Sequence, residues 1–335
     1  MEQIEMKNKK EQMEMILYGE GTMNESMTIE IQRIKKKLEK NNELLMEKDE
    51  DGNTLLHMVY IYNTNEEITK LFMKHRGNCN TQNTYGITPF HQACSTQTNE
   101  NIINILLEHG ADVNIKDHEE WTALFYASAE NSNVSIIRQL LAREHQQKRK
   151  DKNGMTPLHI ASENNTNEKV ISELLNVYDV DERGEQQRTP LHLASASNPN
   201  ELVIDELLKH KATIEAFDSN KSTPLHEAIM YNGNENVIIR LLKNQANVNA
   251  KNVYLKTPLH HAICQKRSEN IIRQLLKAKA KVNEKDNQQY TPLLLACLTQ
   301  TKSAIINMLL NNHADVHVLD AHLRSSLHLV MNPLY

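Results

Sequence analysis

The sequence Gly154-Met155-Thr156-Pro157-Leu158-His159-Ile160-Ala161 recurs along the chain, with variations, at a nearly constant interval. Successive copies lie 34 residues apart, except for one interval of 33 residues that ends at Thr189. A period of this size predicts an array of stacked units rather than one compact core. A ninth copy begins with Ser325 in place of Thr. The first eight repeats are numbered by their key residues, which are Thr54, Thr88, Thr122, Thr156, Thr189, Thr223, Thr257 and Thr291.

Each copy carries the same signals for a turn and two helices. An Asp or Asn, which favours a tight turn, stands five residues before the key residue in every repeat except the fifth, where Gly184 replaces it. Pro follows the Thr in six repeats and suits the first residue of a helix. Eleven residues after the Thr, seven repeats have Asn or Ser, which predicts an N-cap for a second helix. The pattern predicts helix-turn-helix units joined by projecting turns.

The recurrence of Thr-Pro-Leu-His followed by Ala, in phase over residues 49–335, resembles the ankyrin repeat. Eight full copies and a partial ninth are similar to it, and Gly110-Ala111-Asp112-Val113-Asn114 is similar to the loop that follows the second helix in that family. The resemblance implies an all-α solenoid of stacked helix-turn-helix units with projecting β-turn loops. It also implies that the repeat His is a structural residue of the turn. The loop from Leu106 to Asn114 resembles those that are hydroxylated on asparagine in some family members, which marks Asn114 as a candidate.

The chain departs from the family at the end of the second helix, where the family has Gly. Only the second repeat has Gly at this position, which is Gly110. We expect the residues that replace it to adopt the left-handed backbone conformation at a cost of about 1 kcal/mol each. They are Lys211, Gln245, Lys279 and His313.

Residues 1–48 lack the repeat text and form a predicted helical N-terminal segment, followed by the repeat domain at 49–335. One apolar helix face in this segment occupies the register of a second helix, which predicts a degenerate capping repeat. That face consists of Met27, Ile31, Ile34 and Leu38. The opposite surface is either a solvated face or a docking patch for an acidic partner. It carries Lys35, Lys36, Lys37 and Lys40.

Two places interrupt the repeat pattern. Residues 142–150 form a polar, basic segment between the third and fourth repeats, which is either a looser joint or a nuclear-import patch. The ninth repeat stops at Tyr335 before a second helix. For this end three alternatives stay open: a longer natural chain, a partner or second copy that covers the end, or a weak cap.

Composition and spacing argue against several classes of function. A net charge of −5 gives no electrostatic footprint for nucleic acid. Seven of the sixteen histidines belong to the repeat text, and repeats about a helix diameter apart, roughly 10 Å, cannot share a metal ion through them. There is no Gly-rich phosphate loop and no assignable catalytic constellation among the repeat residues. We therefore expect no enzyme activity, no metal and no cofactor.

The location of the protein is also predicted from its composition. The charged N-terminus has no apolar segment typical of a secretory signal, and no apolar run approaches the about 18 residues of a membrane span. Cys94 and Cys297 occupy the same position in their repeats, as core thiols would in a reducing compartment. These features predict an intracellular protein of the cytoplasm, with the nucleus as a second compartment, and no membrane insertion.

The positions that the repeat does not dictate carry the prediction of function. The resemblance implies that a partner binds in the groove lined by turn tips and first helices. Large side chains at these tips either anchor a partner, as aromatic and Arg residues do in interfaces, or cover neighbouring turns. The predicted partner-binding residues are Trp121, Tyr85, Tyr254, Tyr290, Met155 and Arg188.

These predictions define a non-catalytic protein–protein interaction module that acts as an adaptor, a scaffold or a masking inhibitor. The expected ligands are one or more proteins rather than a nucleic acid or a small molecule. In an alternative of a different class, the chain is a fragment of a larger protein with an effector domain beyond Tyr335.

Overall fold

The computed structural model describes residues 27–40, 42–62, 65–144 and 149–331 of the chain. The chain divides into two compact units, Met1–Pro157 and Leu158–Tyr335. Within the described residues all regular structure is helical, and strands are absent. The expected all-α architecture of helix-turn-helix units is therefore confirmed.

The helices follow the two-helix pattern of the repeats. Helix α1 spans Met27–Lys40 and is followed by a 3₁₀ turn at Asn42–Leu45. The first helices of the repeats are α2 (Leu55–Tyr62), α4 (Pro89–Thr96), α6 (Ala123–Glu130), α8 (Pro157–Asn164), α10 (Pro190–Ser197), α12 (Pro224–Tyr231), α14 (Pro258–Cys264), α16 (Pro292–Leu298) and α18 (Ser326–Met331). The second helices are α3 (Glu66–Lys74), α5 (Glu100–Glu108), α7 (Val134–Arg143), α9 (Glu168–Leu175), α11 (Leu202–Lys209), α13 (Glu235–Lys243), α15 (Glu269–Lys277) and α17 (Ser303–Asn311).

In both units, first helices pack on first helices and second helices pack on second helices. In the first unit α2 packs on α4 and α4 on α6, while α3 packs on α5 and α5 on α7. In the second unit the first helices pack in series from α10 to α18, and the second helices pack in series from α9 to α17. The small side chains after the repeat His permit this approach of the first helices, and they are fully buried at Ala93, Ala194 and Ala262. Most of the buried side chains are aliphatic, and Phe72, Phe90 and Phe125 are fully buried in the first unit.

The ends of the second helices have the predicted caps. Asn99 caps α5 by accepting a hydrogen bond from the backbone N–H of Asn101, and Asn200 does the same for Leu202 at the start of α11. The residues that replace the family's Gly after these helices are left-handed, with φ between 65° and 67° at Lys211, Gln245, Lys279 and His313. The predicted backbone conformation is thus confirmed at all four positions.

Buried asparagines in the links between helices join successive repeats. The side-chain amide of Asn198 donates to the carbonyl oxygens of Ser162 and Asn165, at 3.0 and 2.9 Å. Asn232 binds the next pair of carbonyls in the same way, at 3.1 and 3.0 Å. Each bond satisfies a buried carbonyl near the end of the preceding first helix. The repeat pattern does not predict this role for these asparagines.

Helix α1 packs on α3, as a second helix would, and buries Ile34 and Leu38 completely. The side chains of Met27 and Ile31 lie outside the described residues, as do residues 145–148 of the basic segment and residues 332–335. The division at residue 48 and the capping role of the N-terminal segment stay predictions.

Candidate binding surface at the turn tips

The turn tips, which comprise the five residues before each key residue, are built by one side chain and one unusual backbone angle. In the eighth repeat Asp286 Oδ1 accepts the backbone N–H groups of Gln288 and Tyr290, both at 2.9 Å. The residue two before the key Thr is left-handed in every repeat. Gly supplies this conformation in three tips, whereas the others use residues with a side chain, namely Glu120, Gln187, Lys221, Leu255, Gln289 and Leu323.

Neighbouring tips are joined by backbone hydrogen bonds. In the first unit the N–H of His118 donates to the carbonyl oxygen of Tyr85 at 3.0 Å. In the second unit the N–H of Val253 donates to Asn220 at 2.9 Å, and that of Asn287 to Tyr254 at 3.0 Å. The tips within each unit therefore form a ridge whose members are held in fixed order.

The repeat histidines fasten each turn to the next repeat. His192 Nδ1 accepts the N–H of Thr189 at 3.2 Å, and its Nε2 lies 3.1 Å from the carbonyl oxygen of Ser222. Because a carbonyl accepts only a donated proton, the hydrogen of the neutral ring is on Nε2. Burial lowers the pKa of His192 to about 4, so that the ring is neutral at pH 7. The structural role in the turn was expected, but the bond to the next repeat was not.

The third repeat lacks this His and uses a different side chain. Phe125 stands at the His position, and the hydroxyl of Thr122 donates instead to Glu144 Oε1 at 2.6 Å. Burial raises the pKa of the Glu144 carboxyl. The start of the basic segment at residues 142–150 therefore completes the turn of the repeat that precedes it.

Trp121 lies half-buried within its own unit. Its indole Nε1 donates to Asp151 Oδ2 at 3.1 Å, and its ring stacks on Phe125 with a centroid distance of 5.6 Å. Tyr126 meets the same indole edge-on and donates its hydroxyl to Asp117 Oδ2 at 2.6 Å. Trp121 therefore links two turns, and its predicted contact with a partner stays a prediction.

Three other predicted residues are less accessible than a tip position suggested. Met155 and Tyr290 are only 7% and 9% exposed, which favours the alternative that they cover neighbouring turns, and their predicted contact with a partner stays a prediction. The residue before the key Thr turns inward, because its N–H is held by the Asp of the turn. The Tyr290 hydroxyl accepts a hydrogen bond from Arg324 Nη2 at 2.8 Å. Arg188 is paired with the buried Glu227, with 3.1 Å between Nη2 and Oε2.

The two tyrosines at the apex of their turns are exposed. Tyr85 in the first unit has 57% of its surface accessible, and Tyr254 in the second unit has 53%. Tyr254 is flanked by Val253 and Leu255, which are exposed as well, so that three consecutive apolar residues form this tip. Val253 and Leu255 were missed from the sequence. The available signal was a bulky apolar residue at a position where Gly52, Gly86 and Gly154 stand in other repeats.

The described residues contain no group of three or more His, Cys, Asp or Glu side chains that could hold a metal ion. No helix in the described part of the chain is long and apolar enough to cross a membrane. All four cysteines are free thiols.

Stacked helix pairs, turn tips joined in a ridge within each unit and repeat histidines that tie most turns to the next repeat define a helical repeat solenoid. A family profile described as ankyrin repeats in three copies matches residues 30–117, 114–183, 164–252 and 253–320. The chain belongs to the ankyrin repeat family. A search of curated proteins finds no matching relative.

Proposed function

We propose that this chain is a non-catalytic protein-binding module that holds its partner through exposed turn tips. Ankyrin repeats are generally protein–protein interaction modules. The observation that carries the proposal here is the tip at Val253, Tyr254 and Leu255. These are three consecutive exposed apolar side chains on a rigidly held turn.

Folding alone does not explain this tip. Leu255 has a φ of 58°, a conformation that Gly adopts more cheaply, and its exposed side chain recovers little of that cost by packing. Aromatic side chains on a rigid element lose little entropy when they bind, and they contribute strongly to interfaces. Burial against a partner would explain why Val253, Tyr254 and Leu255 are apolar.

The charges around this tip indicate the chemistry of the partner. Lys256 follows Leu255 directly, and Lys221 lies in the tip to which Val253 is hydrogen-bonded. Neither residues 219–222 nor residues 253–256 include an acidic residue. We therefore expect an acidic partner surface that surrounds an apolar pocket, and binding that weakens as salt screens the attraction.

In the first unit Tyr85 offers a second, separate anchor, while Trp121 supports its turn from within. The adaptor, scaffold and masking roles all follow from such display, and the identity of the partner decides among them. The free thiols fit the reducing interior of the cell, where we place the protein.

The test is crosslinking capture from a native lysate with the full chain and two variants. The tip variant Val253→Ser/Tyr254→Ser/Leu255→Gly removes the apolar surface without touching the core. Tyr231→Ser is the matched control, because Tyr231 is equally apolar and exposed but lies at the end of α12. Met155 and Tyr290 are left intact, since their substitution would disturb the turns.

We expect the parent and the Tyr231→Ser variant to retain one specific protein, and the tip variant to lose it. The amount of this protein that is captured should fall when the salt concentration during binding is raised from about 50 to about 500 mM, because salt screens the ionic attraction before the crosslink forms. Equal retention by all three chains would move the binding site of the second unit away from this tip.

A further inference from the structure

Two buried carboxyl groups of the sixth repeat lie close enough for the charge of Asp218 to raise the pKa of Glu227. Asp218 Oδ1 accepts the N–H groups of Asn220 and Ser222 at 2.8 and 2.7 Å, as the turn requires. Its Oδ2 is buried and accepts no hydrogen bond from any residue that the structure describes. Glu227, in α12, is only 2% exposed, and its Oε2 likewise accepts no hydrogen bond of normal geometry within the described chain.

Two other repeats show how the side chain five residues before the key Thr contacts the side chain four residues after it. In the third repeat the residue four after the key Thr, Tyr126, donates to the second oxygen of the turn acid, Asp117 Oδ2, at 2.6 Å. In the seventh repeat His261 Nε2 lies 3.1 Å from Asn252 Nδ2 in the same arrangement. The side chain four after the Thr therefore meets the side chain five before it. In the sixth repeat this arrangement brings Glu227 to Asp218.

We propose that Asp218 and Glu227 form a proton-binding site. One proton is held on a Glu227 carboxyl oxygen and donated to Asp218 Oδ2, which supplies the hydrogen bond that this oxygen lacks. Arg188, whose Nη2 is 3.1 Å from Glu227 Oε2, balances the charge of the remaining carboxylate. The protonated cluster is thus neutral, which is the inexpensive state for a buried group.

The charges that surround Glu227 support this assignment. The pKa of Glu227 is raised to about 7, chiefly by burial, while the charge of Arg188 opposes the rise and that of Asp218 supports it. From the fifth repeat only Arg188 contributes a cation to this pKa, and Arg188 also attracts Glu163, whose own pKa is raised by burial and by Glu185.

The seventh repeat contributes no second counter-ion to this site. Burial, together with the neighbouring His226 and Lys256, lowers the pKa of His261 to about 3, so this ring is neutral at physiological pH. His226, which precedes Glu227 in α12, is also neutral, because burial lowers its pKa to about 4. Lys256 lies near His261 and does not contribute to the pKa of Glu227.

A proton bound here makes the second unit sensitive to pH near neutrality. An ordinary Glu in the unfolded chain releases its proton near pH 4.5, whereas folded Glu227 retains it to about pH 7. The folded state therefore binds one more proton than the unfolded state across this window. The contribution of this site to the free energy of unfolding is therefore complete below about pH 4.5 and is lost as the pH rises through 7.

The direct test is a carbon NMR titration of the Glu227 carboxyl in the full chain, with its resonance assigned by Glu227→Gln. The proposal expects Glu227 to titrate near neutrality. Asp218→Asn should lower that value by at least one pH unit, because an amide carries no charge and donates to the carboxylate. Asp286→Asn is the matched control, since Asp286 holds the same turn but faces Leu295, and it should leave Glu227 unchanged.

A second measurement follows unfolding in urea between pH 5 and pH 8. Gln at position 227 imitates the protonated carboxyl, so Glu227→Gln should fold and should lack this dependence. Between pH 5 and 7 the folded-to-unfolded ratio of the parent should fall relative to that of Glu227→Gln by up to about tenfold per pH unit. A Glu227 titration below pH 5, or parallel curves for the two chains, would overturn the proposal.

Discussion

At the residue scale, the left-handed position two residues before each key Thr distinguishes residues that suit the backbone from a residue that suits binding. Gly is the least strained residue at this position, and Gly86 has no alternative there. A Cβ on Gly86 would come within 2.9 Å of Asp117 Cα and of the backbone nitrogen of His118. Gly154 has open space around it, yet its φ is +74°. Leu255 occupies the same conformation with a large exposed side chain, which indicates selection for something other than stability.

Leu255→Gly should therefore raise the free energy of unfolding by about 1 kcal/mol while weakening partner binding, because it removes both the strain and the apolar surface. Urea unfolding followed by circular dichroism measures the first effect. The reciprocal change Gly154→Ala should cost about 1 kcal/mol in the same assay. A Leu255→Gly chain that is less stable than the parent would show that Leu255 packs on the fold after all.

The repeat histidines determine the response to acid. Burial lowers the pKa of His57, His91, His192 and His226 from 6.5 to about 4, so the unfolded chain takes up their protons first as the pH falls. Their contribution to stability is complete above about pH 6.5 and is lost toward pH 4. The loss is about 1.4 kcal/mol per pH unit for each ring.

His192→Gln tests this with one ring removed. The variant should be less stable at pH 7, because the link to Ser222 is weakened, and its stability should fall less steeply between pH 6.5 and 4.5. The difference in slope should correspond to one proton, measured by urea unfolding at a series of pH values. Identical slopes for the parent and the variant would contradict a neutral buried His192.

At the scale of the elements, buried asparagines determine how one helix pair attaches to the next. Asn198 satisfies two carbonyl oxygens of the preceding repeat and also accepts the N–H of Asn200 at 2.9 Å. The link between the two helices therefore contributes to the interface between repeats. A sequence pattern of helices and caps does not reveal this, because a link asparagine also suits an ordinary turn.

Asn198→Ala should lower the free energy of unfolding by about 2–4 kcal/mol, because it leaves two buried carbonyl oxygens without donors. Asn164→Ala is the control: Asn164 is exposed and bonds only to the carbonyl of Ile160 within its own helix. That change should cost less than about 1 kcal/mol. Equal losses for the two variants would mean that the buried bonds are not responsible.

At the scale of the whole molecule, neighbouring repeats rather than a common core stabilise each helix pair. The second residue after the key Thr is fully covered in the interior of each stack, where Leu259 is 0% exposed, but Leu327 in α18 is 67% exposed. Val330 and Met331 on the same helix are exposed too. Stability in such an array depends on contacts with both neighbours, so it should vary along the chain.

Amide hydrogen exchange should therefore be fastest in α18 among the first helices of the second unit, and slowest in α12 and α14. The expected difference is at least a hundredfold between α18 and α12, because α18 buries only Leu329 while α12 buries most of its length. Addition of a ligand that covers the exposed face of α18 should raise its protection selectively. Equal protection of α12 and α18 would contradict a stack held together by nearest neighbours.

The fold, the helix pairs, their caps and the left-handed helix ends could all be predicted from the sequence; the helix ends are Lys211, Gln245, Lys279 and His313. These features depend on contacts within one repeat, and the repeat recurs in eight full copies and a partial ninth. Local propensities and capping patterns were therefore enough to predict them. The accessibility of the tip side chains depended on the tertiary structure. Met155 and Tyr290 are buried while Tyr254 and Leu255 are exposed, and the hydroxyl of Tyr290 is bound by Arg324 of the next tip. The pairing of Arg188 with Glu227 likewise joins two repeats, and no pattern within a single repeat contains it.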